Sequence, residues 1–72
     1  NKSITKEVFE ELGFIYTTIV NGYVKDNNTI YFNNIADKPS NYFMISDGEE
    51  WVFQGIINNS EELKFILNRL GL

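Results

Sequence analysis

The chain contains neither cysteine nor histidine. Without cysteine there is no disulfide to staple the fold and no thiolate to hold a metal. Without histidine the commonest general base is missing, and with it Ser-His and Cys-His nucleophilic pairs and imidazole-bound zinc. A Ser-Lys pair is formally available, but nothing in the spacing of Ser3, Ser40, Ser46 and Ser60 marks one. Long apolar runs are also lacking: no segment approaches the roughly 20 residues of a membrane-spanning helix. Nor does the chain open with a basic stretch followed by an apolar core, as a signal peptide would. Positive charge is sparse, with six Lys and Arg scattered among ten acids and a net charge of −4. Such a chain repels phosphate backbones and lacks the Lys/Arg stripe of a nucleic-acid-binding domain. These absences set the expectations: no catalysis, no cofactor, no metal, no direct nucleic-acid contact and no membrane. The missing cysteine fits a reducing compartment, so a cytoplasmic location is expected.

What is present is an ordinary globular composition, 43% hydrophobic over 72 residues. The expectation is a single α+β domain spanning residues 1–72, near the lower size limit at which a core alone suffices. The start at Asn1 rather than methionine reads as a trimmed or excised end, which leaves a removed signal peptide open. Asn-x-Ser/Thr triplets at 1–3, 27–29 and 58–60 fit the glycosylation acceptor pattern and are read as chance matches.

Thr5 to Leu12 reads as a short helix. Thr5 is its N-cap, Ile4 and Phe9 form a hydrophobic staple, and Gly13 sits just past its end. From Phe14 to Ile57 the pattern changes to period two with β-branched and aromatic residues. Strands are expected at 14–20, 23–25, 29–35, 42–46 and 49–57. Asn21-Gly22 and Asp47-Gly48 are read as two-residue type I′ turns, and 37–40 as a further turn around Pro39. The last helix begins at Ser60 as N-cap with Glu61 and Glu62 in its first turn. Leu63, Ile66, Leu67 and Leu70 form its apolar stripe, and Gly71 ends it. The fold class is therefore helix, four- to five-stranded antiparallel meander, helix, with both helices packed on one face of the sheet.

The Asp47-Gly48 turn fixes a register in which Ser46 faces Glu49, Ile45 faces Glu50, Met44 faces Trp51, Phe43 faces Val52, and Tyr42 faces Phe53. On that register the core comprises Ile15, Ile19, Ile30, Phe32, Met44, Trp51 and Phe53. The open face then shows Tyr16, Tyr31, Phe43, Ile45 and Val52. Such a face is a candidate protein interface, since aromatic residues are enriched where proteins meet. Phe43→Asp or Tyr31→Asp is expected to weaken association and leave the fold intact.

The opening Ile4-Thr5-Lys6-Glu7-Val8-Phe9-Glu10-Glu11-Leu12-Gly13-Phe14 resembles the start of many short uncharacterised proteins of phages and mobile elements of AT-rich bacteria. The closing Glu62-Leu63-Lys64-Phe65-Ile66-Leu67-Asn68-Arg69-Leu70-Gly71 adds to the resemblance. Roles common among such proteins, assembly components and inhibitors of host defence enzymes, are what it implies. The first expectation is thus a non-catalytic interaction module whose partner is another protein, a second copy included, engaged through an open sheet face or edge. The alternative is an acidic phage anti-defence inhibitor occupying a nucleic-acid-binding surface of a host enzyme. In that case Asp37, Asp47, Glu49 and Glu50 would imitate phosphates.

Overall fold

The computed structural model describes residues 3–72. Two helices, α1 (Lys6–Glu11) and α2 (Ser60–Leu70), bracket five strands: β1 (Ile15–Thr17), β2 (Gly22–Lys25), β3 (Asn28–Phe32), β4 (Tyr42–Ser46) and β5 (Trp51–Ile56). The strands form one antiparallel sheet whose spatial order is the chain order, a meander. The class is α+β.

Both helices end as glycine requires. Gly13 takes φ +91° after α1, and the amides of Gly13 and Phe14 turn back to the carbonyls of Glu10 and Phe9. Gly71 takes φ +77° after α2, where the amides of Gly71 and Leu72 reach Asn68 and Leu67. These are Schellman endings, which satisfy carbonyls that the helix itself leaves open. At the start of α1 Thr5 occupies the N-cap, but its side chain makes no capping hydrogen bond. The N-cap of α2 is Asn59 rather than Ser60: the amide of Glu62 donates to Asn59 Oδ1 at 2.9 Å, and the Glu62 carboxylate accepts from Asn58 N at 2.8 Å. Ser60 begins the helix proper and is buried.

The turns depart from the expected register, and each departure has a local cause. Asn21-Gly22 is not a two-residue loop. Ile15 pairs with Val24, Tyr16 with Tyr23 and Thr17 with Gly22, leaving residues 18–21 as the connection. Gly22 is thereby a strand residue. A Cβ built there would lie 3.0 Å from the Ile30 carbonyl oxygen and 3.2 Å from the Tyr31 ring, so a close approach of backbone and ring selects glycine. The true tight turn is Asp26-Asn27, between Lys25 and its partner Asn28, with Asp26 at φ +55°.

The Asp47-Gly48 connection is also longer than expected. The amides of Glu49 and Glu50 donate to Asp47 Oδ1 at 2.9 and 3.0 Å, and the amide of Gly48 donates to Ser46 Oγ at 3.0 Å. These bonds reward a four-residue loop, Asp47 to Glu50, closed by Asp47 N to Glu50 O at 3.1 Å. Ser46 therefore faces Trp51. A bulge follows, so that Ile45 faces Phe53, Met44 faces Gln54, Phe43 faces Gly55 and Tyr42 faces Ile56. Val52 is the extra residue, and the bulge lets both Val52 and Phe53 pack against the core.

The buried face of β4 is the opposite of the one expected, because the bulge moves Phe53 from the Trp51 face to the Phe43 face. Phe43 and Ile45, expected on the open side, are fully buried, and Val52 is partly buried against them. The buried cluster joins Val8 and Phe9 of α1, Ile30 of β3, Phe43 and Ile45 of β4, and Leu63 and Leu67 of α2, with Phe14 and Ile57. Phe9 stacks on Tyr23 with ring centroids 3.9 Å apart and lies 5.6 Å from Phe32, which in turn stacks on Phe43. Of the expected core, Ile30 is buried and Phe32 and Phe53 pack against it. Ile15, Ile19 and Trp51 are exposed instead, Ile19 almost completely, and Met44 is half-buried. Ile15 and Trp51 belong to the face opposite Phe43, and Ile19 lies in the lengthened β1–β2 loop.

Candidate interaction face

Alternation along paired strands defines the face opposite Phe43. One row crosses the whole sheet as Ile15, Val24, Thr29, Ser46 and Trp51, each paired with the next. Beside it Tyr31, Met44 and Gln54 form a second row, and Tyr42 with Ile56 a third. Small residues in these rows leave room for rings to lie over the sheet. The Tyr31 ring leans across Gly22 and meets the Trp51 ring edge-on at 5.7 Å.

Three apolar side chains on this face stand well into solvent: Ile15 is 71% exposed, Trp51 48% and Ile56 53%. Ile15 lies on one edge strand of the sheet and Trp51 and Ile56 on the other. Among the described residues the strands carry a single charge, Lys25, and it belongs to the opposite face, with its ammonium 5.7 Å from the Phe14 ring. Lys38, from the β3–β4 connection, sets its ammonium 4.8 Å from the Tyr42 ring and forms a basic rim. The strands thus present a charge-free face of apolar and aromatic side chains among the polar Thr17, Thr29, Ser46 and Gln54, and depletion of charge is a mark of the centre of a protein interface.

Of the residues singled out from the sequence, Tyr31 lies on this face. Tyr16 is exposed at the far edge of the other one, where it pairs with Tyr23 and touches its ring at 5.2 Å. Phe43, Ile45 and Val52 belong to the core. Burial, with the negative charges of Tyr16, Glu10 and Glu7 as lesser causes, raises the Tyr23 hydroxyl above its ordinary value.

The acids do not form one array. Glu49 and Glu50 are exposed at the tip of the β4–β5 loop. The Asp47 carboxylate turns back onto its own loop, where the amides of Glu50 and then Glu49 hold its pKa below the usual carboxylate range. Asp37 lies in the connection before β4, at the other end of that strand from Asp47. A phosphate mimic built from these four acids would need them on one surface, and the topology divides them. Among the described residues no group of three or more acidic side chains is disposed to hold a metal ion, and no helix is long and apolar enough to cross a membrane.

Reading the sequence for the face missed Ile15, Val24, Tyr42, Met44, Trp51 and Ile56. Glu49-Glu50 signalled the length of the loop, not which face is buried. A two-residue turn forces both carboxylates into a strand, whereas a four-residue loop leaves them in solvent and brings Trp51 opposite Ser46. No protein-family model, curated protein or solved structure matches the chain.

Proposed function

We propose that this chain is a non-catalytic protein-interaction module that binds through the Trp51 face of its sheet. In this reading both helices cover the Phe43 face, an arrangement supported by the stacking of Phe9 on Tyr23 and by the shared burial of Leu63 and Leu67 with Phe43 and Ile45. The observation that carries the proposal is the uncharged surface running from Ile15 to Trp51, interrupted only by the small polar Thr29 and Ser46, in a chain of net charge −4. A solvated sheet face ordinarily alternates polar side chains outward. This one sets Tyr31, Tyr42, Met44 and Trp51 among Thr17, Thr29, Ser46 and Gln54, with no charged side chain.

The lack of histidine and cysteine argues in the same direction, because it removes the usual nucleophile-base pairs. The test is affinity capture from the native cell with wild-type protein and Tyr31→Asp as paired baits, after circular dichroism has shown that both fold. A partner held by wild type and lost by Tyr31→Asp supports the reading. Identical captures with the two baits contradict it.

A further inference from the structure

We infer that the Trp51 face is where two copies of this chain meet, sheet on sheet; this rests on that face being an interaction surface and names its occupant. Three observations point to a second copy. The first is charge. Two chains of net charge −4 repel one another over most of their surfaces, but the strands bring no acid to this face. Two copies can therefore bring these strand rows together without setting one strand carboxylate against another; Asp26, Asp47, Glu49 and Glu50 stay in the loops at the end of the sheet.

The second is the placement of the exposed apolar groups. Ile15 and Trp51 occupy opposite ends of one row, on the two edge strands. A two-fold axis lying between the sheets and running along the strands exchanges the two edges and keeps each row over itself. It sets Trp51 of one copy over Ile15 of the other, Val24 over Ser46, and Thr29 over its own counterpart. Each copy thus supplies what the other's exposed edge needs, as an isologous contact requires. Aligned packing at about 10 Å between sheets is the geometry of a β-sandwich.

The third is area. Five strands about 4.8 Å apart, rising about 3.3 Å per residue, make a face roughly 24 by 15 Å. Two such faces cover roughly 700 Å² in outline, and the relief of their side chains carries the accessible area buried towards the lower end of the range of specific complexes. The contact covers Ile15, Trp51 and Ile56, which the single chain leaves exposed.

Analytical ultracentrifugation across a concentration series tests this. Wild type is expected to pass from 8.4 kDa to twice that mass as concentration rises. Thr29→Lys brings two ammonium groups together at the axis and Gln54→Lys places one within the interface. Each is expected to weaken dimerisation by at least about a hundredfold, because each leaves a buried charge unpaired. Asn68→Lys adds the same charge on α2 and should leave the dimer intact. Circular dichroism and the urea midpoint establish that each variant is folded.

A wild type that stays monomeric near millimolar concentration overturns the inference, as does a dimer that survives both sheet variants. Either result leaves the interaction reading standing if captured protein is still lost with Tyr31→Asp. If capture is unchanged as well, both fail.

Discussion

The ring of Tyr31 meets the ring of Trp51 edge-on, their centroids 5.7 Å apart, on the sheet face opposite the buried Phe43. The pair spans β3 to β5 across Ser46, whose small side chain leaves the space. It identifies the Trp51 side of the sheet, and stability measurements can separate that side from the core.

Phe43→Ala should destabilise the fold by about 3–5 kcal/mol, as large-to-small changes at fully buried aromatics do. Trp51→Ala removes a half-exposed ring and one aromatic pair, at a cost on the order of 1 kcal/mol. Phe43→Asp, expected from the sequence to spare the fold, should unfold it by burying an unpaired carboxylate. Urea midpoints for the variants check this, and equal costs at Phe43 and Trp51 would contradict the assignment of faces.

Gly22→Ala tests the close approach in β2. The added methyl meets the Ile30 carbonyl oxygen at 3.0 Å, and a backbone oxygen held in a sheet has little freedom to withdraw. A loss of about 1–3 kcal/mol is expected from overpacking of this kind. Gly71→Ala meets no atom within 4 Å but must hold φ +77°, so its penalty is conformational alone. A melting curve for Gly22→Ala that coincides with wild type would sink the explanation of this glycine.

The Asp47 loop predicts a pH dependence. Hydrogen bonds from the Glu50 and Glu49 amides lower the folded-state pKa of Asp47 from 3.8, whereas the unfolded chain titrates at the ordinary value. The stabilisation is therefore present above the unfolded pKa and is lost as pH falls through it towards the folded one. Asp47→Asn keeps a side-chain oxygen acceptor but no charge, so it should flatten this part of the stability profile. Urea midpoints between pH 2 and 6 for the two proteins measure it; parallel profiles would contradict the account.

At high pH the sign reverses through Tyr23. Its folded-state pKa is raised from 10.0, first by burial and then by the nearby Tyr16, Glu10 and Glu7. The unfolded chain ionises earlier, so stability is complete below pH 10 and falls as pH rises towards the folded value. Tyr23→Phe should lessen that fall, read as the slope of the urea midpoint above pH 10.

The elements and their order were legible because each carries its own local chemistry. Gly13 and Gly71 mark helix ends, Glu61 and Glu62 open a helix, and β-branched and aromatic alternation marks the strands. What was not legible is the phase of β4 against β5. The same Asp-Gly pair serves a two-residue turn or the start of a longer loop, and the choice here rests on bonds from the Glu49 and Glu50 amides to Asp47 Oδ1. The bulge at Val52 then changes the count once more. A shift of one residue sends every side chain beyond it to the other face, which is why Phe53 joins Phe43 and Ile45 and the core lies on their side, while Met44 and Trp51 share the opposite face in either register. Tyr31 kept its face because its strand was phased independently of that loop.

Trp51 is the only tryptophan in the chain, and it stands on the face proposed to be covered by a second copy. Acrylamide quenching of its fluorescence, followed as protein concentration rises from nanomolar to near millimolar, therefore addresses the central claim directly. The account predicts a readily quenched, red-shifted emission in dilute solution that becomes protected and blue-shifted at high concentration, with Thr29→Lys remaining quenchable throughout. An emission equally quenchable at every concentration, or protection that Thr29→Lys fails to abolish, would contradict it.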